Sequence, residues 1–291
     1  MRLLQYKSIN NYLNLSRAFS KNSNLFLLRK KTGLPIKLCK ESLEKNENNL
    51  ESALEWLKRE SVTLGLDKAM KLSDRDMNSG LLGLISNAKT SAVIEINCET
   101  DFVAKNADFQ ETVHRSALSL FEEAKGINGS RLWTKGELNS IKSNDTSLVD
   151  LIAKVVSSIG ENIQIARGYT IDVSRDENMH LCSYSHLSST NQINSFGDTK
   201  FGKYASVIKY RFDKSEPEEG TLKVARQVCQ HIVGMNPSPS LEVTEREVDS
   251  EKEKCIWHQP FFLDENSTVK QVLESNDIDL KEFIRMECGV D

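Results

Sequence analysis

The chain has 291 residues, 38% hydrophobic and 27% charged, a balance that supports folded cores in two or three small domains and excludes a fibrous or disordered polypeptide. Its formal net charge of -4 supplies no whole-molecule positive field of the kind that draws a protein onto DNA or RNA, so no direct nucleic-acid partner is expected. Six cysteines, at positions 39, 98, 182, 229, 255 and 288, stand apart without a CxxC pair or metal-ligand spacing, and read as reduced intracellular thiols.

The first acidic residue is Glu41. Residues 1–23 place Arg2, Lys7, Arg17 and Lys21 among serines, asparagines and leucines, the pattern of an organellar transit peptide, with Arg17-Ala18-Phe19-Ser20 as its processing region. No apolar run approaches the ~18 residues of a membrane span, so no membrane association is expected. From Leu25 to about Arg59 three short helices follow. The first ends at Thr32-Gly33 and Pro35 opens the second. The third carries Leu50, Ala53, Leu54 and Leu57 on one stripe with Trp56 beside it. Together they make a compact docking module over residues 24–62. Residues 63–79 are polar and charged with helical spacing, and read as a linker.

Beyond it, Leu81–Ile85 and Ala92–Ile96 are apolar runs separated by the polar cluster Ser86–Ser91, a hairpin pattern. Helical spacing returns at 108–124 and 148–159, and Ile163–Arg167 reads as a strand. A second α+β unit has strands near His180–His186 and Lys203–Phe212, joined by the polar loop Ser188–Gly202. Its helix carries Leu222, Ala225, Val228, Cys229 and Ile232 on one face and stops before Pro237. Residues 242–254 are charged nearly all round and read as a solvated helix or linker. A closing unit contains a helix near 268–274 and a strand near 283–288.

Enzyme signatures fail one by one. Gly197–Tyr204 approximates a phosphate loop, but Tyr204 stands where Ser or Thr must hold magnesium, and the following residues alternate like a strand. The five histidines match no zinc signature, and no GxSxG, HExxH or GxGxxG occurs. Glu99 beside Cys98 should raise the thiol pKa, which argues against a nucleophile. No catalytic residue, cofactor or metal site is expected.

The strand Ala92–Asn97 leads into Cys98-Glu99-Thr100-Asp101-Phe102-Val103-Ala104-Lys105-Asn106. On residues alone, Thr100 or Asp101 could cap the next helix while Phe102 and Val103 pack inward. The helical module alone would equally suit a ubiquitin-type adaptor without exchange activity. IEINCETDFVAKN, however, resembles the signature of the elongation factor Ts family, whose members carry a near-identical NCxTDFVAKN segment between a strand and a helix. LRKKTGLPIKLCKESLEKNENNLESALEWL resembles that family's UBA-like module. KVVSSIGENIQIAR, HIVGMNP, QPFFLDENSTVKQVL and FIRMECG are similar too, in the family's order, so the resemblance spans about residues 25–290.

The resemblance implies an α+β fold: an N-terminal three-helix UBA-like module, then a two-subdomain α+β core (80–175 and 176–291, the latter with a short C-terminal module) with small antiparallel sheets packed by helices. It implies guanine-nucleotide exchange on elongation factor Tu, with the Asp101-Phe102 turn inserted near the magnesium and phosphate site. Thr100, Asp101, Phe102 and Val103 would be partner-binding residues, joined by Leu34, Pro35 and Ile36 of the module and by His231 and Met235 of the second unit. The factor would use no cofactor and hold no nucleotide stably itself. Bacterial members insert a long coiled coil where this chain has only Ser240–His258. The shortening resembles mitochondrial members and, with the acid-free start, points to mitochondrial elongation factor Tu as partner and the mitochondrial matrix as location. The loop Ser188–Gly202 reads as an insertion relative to the family.

Overall fold

The structure, a computed structural model, describes residues 24–32, 34–187, 194–212, 217–243 and 252–290. The transit-peptide region 1–23 lies outside them, as do residues 188–193 of the insertion and 244–251 of the charged stretch. In chain order the elements are α1, described over residues 24–32, α2 (Ile36–Lys45), α3 (Leu50–Leu72), β1 (Ser79–Ser86), β2 (Thr90–Cys98), the single turn α4 (Asp101–Ala104), α5 (Ala107–Ala124) and β3 (Gly129–Trp133). There follow α6 (Lys135–Ser140), β4 (Lys142–Ser143), β5 (Thr146–Ser147), α7 (Leu148–Ile159), β6 (Ile163–Asp172), β7 (Met179–His186), β8 (Lys200–Gly202) and β9 (Tyr204–Arg211). The chain closes with α8 (Glu219–Met235), β10 (Pro260–Phe261), β11 (Asp264–Thr268), α9 (Val269–Glu274) and β12 (Asp279–Glu287). It divides into two compact units, the described residues through Asp74 with Asp150–Gly160, and Arg75–Val149 with Glu161–Asp291.

In the first unit, Leu28, Leu34, Cys39, Leu43, Ala53 and Leu57 form the core of α1 to α3, with Trp56 packed against it. The Ser42 hydroxyl donates to the Ala53 carbonyl at 2.8 Å, tying α2 to α3. Asn49 caps α3 by accepting from the amides of Glu51 and Ser52. The stretch read as a linker is helical through Leu72, and only residues 73–78 are irregular before β1. Gly65 explains how that helix is used. A Cβ there would stand 1.9 Å from the Ala153 carbonyl oxygen, so α3 lies backbone against backbone on α7 at this point.

The second unit is built on two antiparallel sheets, a five-stranded one ordered β3-β6-β2-β1-β8 and a three-stranded one ordered β12-β9-β7. The expected hairpin pairs Ser79 with Cys98 through Ser86 with Ser91. Its turn is closed by Asn87 Oδ1, which accepts from the Lys89 and Thr90 amides at 2.8 and 2.7 Å. Strand alternation sends Leu82, Leu84 and Val93 to one face, where they meet Leu181, Ala205, Val207 and Met286 of the smaller sheet in a shared core. On the opposite face Gly83 admits α5, because a Cβ there would stand 2.8 Å from Val113 Cγ1. Behind the smaller sheet, Ile208, Tyr210 and Phe283 pack with Ala225, Val228, Cys229 and Ile232 of α8 and with Phe261, Val269 and Leu273 of the closing unit. The α+β fold with small antiparallel sheets packed by helices is therefore present.

One stretch of chain serves both sheets. β8 pairs with β1, whereas β9 pairs with β7 and β12. The change of sheet occurs at Gly202, where a Cβ would stand 2.2 Å from Ser185 Oγ and 2.7 Å from the Tyr204 carbonyl oxygen. The glycine of the apparent phosphate loop is thus a strand crossover, followed by a strand rather than a helix.

Candidate functional site

β2 ends at buried Cys98, whose thiol donates to the Thr100 carbonyl at 3.2 Å. The Glu99 carboxylate accepts from the Asn162 amide at 2.7 Å and from the Arg75 guanidinium at 3.2 Å. Thr100 donates its hydroxyl to Glu161 Oε2 at 3.0 Å. These bonds brace the chain before α4. After it, Asn106 caps α5 by accepting from the amides of Asp108 and Phe109 at 2.8 and 3.3 Å. The capping role open to Thr100 or Asp101 therefore falls to Asn106, and Thr100 makes no side-chain cap bond to α4.

Between these braces α4 turns Val103 and Ala104 inward, 3% and 6% exposed, and leaves Phe102 77% exposed. Inward packing holds for Val103 and not for Phe102. The Phe102 ring, held open on so short and well-anchored a turn, buries little of its surface in the fold. Lys105 attends both tip residues: its ammonium is 2.6 Å from the Asp101 carboxylate and 5.5 Å from the Phe102 ring centroid. The Lys105 hydrogen bond holds the Asp101 carboxyl below the usual carboxylate range. Burial pushes the Cys98 thiol up to about 12, with Glu161 rather than Glu99 as the acid that adds to the shift. Cys98 is an inert anchor.

The remaining expected site residues split by exposure. Leu34 belongs to the first unit's core at 5% exposed, while Pro35 is exposed and Ile36 is 49% exposed. Near the end of α8, His231 is fully buried and Met235, one turn on, is 40% exposed. His231 stacks on Phe261, accepts at Nδ1 from the Phe262 amide at 3.4 Å and faces Gln259 Oε1 with Nε2 at 2.9 Å. That pattern assigns the neutral ring with its proton on Nε2. Burial pushes its pKa down. Thr100 to Val103 thus form one turn, and His231 and Met235 share one helix face; Leu34 to Ile36 lie in the other unit. Sequence reasoning missed Lys105, Glu161 and Gln110. A polar Gln110 next to Phe109 on the buried side of an amphipathic helix was the one signal available.

Among the described residues, no three His, Cys, Asp or Glu side chains gather where a metal ion could be held, and no helix is long and apolar enough to cross a membrane. Residues 99–254 match the family described as Elongation factor TS, beginning at the turn itself, and residues 11–67 match the N-terminal region described as Elongation factor Ts, mitochondrial, N-terminal. The chain is 35% identical to the mitochondrial elongation factor Ts of Aedes aegypti, over 94% of this chain and 89% of that protein. The like-named proteins of Xenopus laevis and Homo sapiens are 34% and 32% identical, covering 91% and 94% of this chain and 86% and 85% of their own lengths. A match over more than half its length, joined to relatives aligned nearly end to end, establishes that the chain belongs to the elongation factor Ts family.

Proposed function

We propose that this protein is a guanine-nucleotide exchange factor for elongation factor Tu in the mitochondrial matrix, acting by contact and not by covalent chemistry. The observation that carries the reading is Phe102, exposed at the tip of a turn that Thr100, Val103 and Ala104 anchor. Wedged between partner helices, such a ring contributes ~1.5–3 kcal/mol of burial. Asp101 beside it offers a carboxylate to groups around the partner's magnesium and phosphate site. If these contacts form only when the nucleotide pocket is distorted, exchange factor and GDP weaken each other by the same coupling free energy, and GDP leaves faster. Thr100 and buried Val103 hold the turn in shape.

In this reading residues 1–23 are removed as a transit peptide, and the 24–62 module docks on the G domain through Pro35 and Ile36, with Leu34 fixing them from within. The five-stranded sheet of the core carries the exchange turn. The second subdomain adds Met235, while His231 orders the Phe261-Phe262 segment. The test is release of fluorescent GDP from elongation factor Tu with and without the full mature chain, paired with titrations against GDP-loaded and nucleotide-free Tu. Accelerated release and tighter binding to the empty form are expected. Equal affinity for both forms, or capture of ubiquitin without Tu, overturns the proposal.

A further inference from the structure

Gln110 is a wholly buried carboxamide on α5 whose two ends are bonded to different parts of the chain. Its Nε2 donates to the Ala104 carbonyl at 3.1 Å, and its Oε1 accepts from the Asn194 amide at 3.0 Å and from Asn194 Nδ2 at 2.9 Å. Ala104 closes α4, two residues after Phe102, where helix carbonyls lack partners within the helix. The segment that supplies Asn194 is fastened to α5 a second time. His114 stacks on Phe196 at 5.6 Å and its Nδ1 lies 2.7 Å from Thr199 Oγ1.

We propose that Gln110 is a positioning residue for nucleotide exchange, fixing the exchange turn from its C-terminal end and making residues 194–199, part of the apparent insertion, its outer clamp. The proposal rests on the exchange reading above and adds a residue and a segment to it. One turn of helix does not hold itself, since fixing the first turn costs more than its single hydrogen bond returns. The orientation of Phe102 is therefore set by what grips the turn from outside. Glu99 and Thr100 grip its start, Val103 its inner face, and Gln110 its last carbonyl. Only a carboxamide donates to Ala104 and accepts from Asn194 at once; glutamate cannot donate when ionised, and leucine does neither. A wedge ordered before docking loses less conformational freedom on insertion, which raises the rate of the bound step more than the strength of the encounter.

The experiment uses the full mature chain and measures fluorescent-GDP release from elongation factor Tu as a function of exchange-factor concentration, for wild type, Gln110→Leu, Gln110→Glu and Asn194→Ala, with thermal melts of each. The leucine variant is expected to lower the saturating release rate roughly fivefold to tenfold, the scale of one lost neutral hydrogen bond, and to shift half-saturation less than about twofold. Asn194→Ala, which leaves the backbone donor in place, gives a smaller drop in the same quantity. Gln110→Glu adds a readout that a packing role does not move. Burial raises its carboxyl pKa, so as the pH is lowered it takes up a proton, regains a donor for Ala104 and recovers rate relative to wild type. A folded leucine variant with the wild-type saturating rate overturns the proposal, as does a loss confined to half-saturation. If the leucine variant does not fold, a wild-type rate in Asn194→Ala with a flat pH ratio in Gln110→Glu overturns it. A wild-type chain that releases no GDP removes the exchange reading itself, a result told apart from these by the first curve.

Discussion

Phe102→Ala is expected to slow nucleotide release while leaving the fold intact. With 77% of the residue exposed, truncation removes almost no buried surface, and unfolding stability should stay within about 0.5 kcal/mol of wild type. The same ring buried in a partner is worth ~1.5–3 kcal/mol. If that contact is made only after the nucleotide pocket has opened, the loss falls on the release step and slows it roughly 10- to 150-fold. Val103→Ala, one residue on and 3% exposed, is the converse: losing two buried methyls costs about 2 kcal/mol of fold stability. Stopped-flow release of fluorescent GDP and urea unfolding, run on both variants, read the two axes independently. Release at the wild-type rate by Phe102→Ala would falsify the wedge, and a melt as depressed as that of Val103→Ala would show that the ring supports the fold instead.

Gly65→Ala forces a methyl against the Ala153 backbone, 1.9 Å from its carbonyl oxygen, and should destabilise the first unit by about 2–3 kcal/mol, read as earlier loss of helical signal on heating. Glu95 is buried, pairs with Arg167 at 2.8 Å and accepts the Gly289 amide at 2.8 Å, so Glu95→Ala should cost about 3–5 kcal/mol in urea unfolding; a loss below 1 kcal/mol would mean the pair is solvated. His231 is pushed below its unfolded pKa of about 6.5 by burial. The unfolded chain then binds more protons between the two values, so its contribution is present above about pH 6.5 and is lost as the pH falls toward the folded pKa. The urea midpoint should drop between pH 7.5 and 5.5, less so in His231→Gln; identical slopes would refute the assignment.

Much of this architecture is written locally. The β1–β2 hairpin is legible because β-branched and apolar residues flank a turn whose Asn87 bonds its own backbone. α5 is legible because its apolar residues recur at helical spacing, and α8 because they do so up to the residues before Pro237. The chemistry of the Thr100–Val103 turn is visible in its residues, but not which of them face outward: that Phe102 is open and Val103 closed depends on how four residues sit against a sheet formed from distant strands. α3 beyond residue 62 shows its helical spacing but reads as a linker, because charged residues stand among Leu64, Leu66, Met70 and Leu72 and its decisive residue, Gly65, matters only where another helix crosses. α6 carried an unread signal in Thr134-Lys135-Gly136-Glu137, whose outer members form a reciprocal capping box. The joint held by Gln110 links residues 84 positions apart and leaves no trace in periodicity.

Lys105 gives the resting tip a property its two partners lack separately. One ammonium answers both the carboxylate of Asp101 and the ring of Phe102, which nevertheless stays 77% exposed. A purely apolar cleft closing on the ring would have to displace or bury that cation. A charge at that distance makes adhesion of the ring to an apolar surface less favourable without covering the side chain.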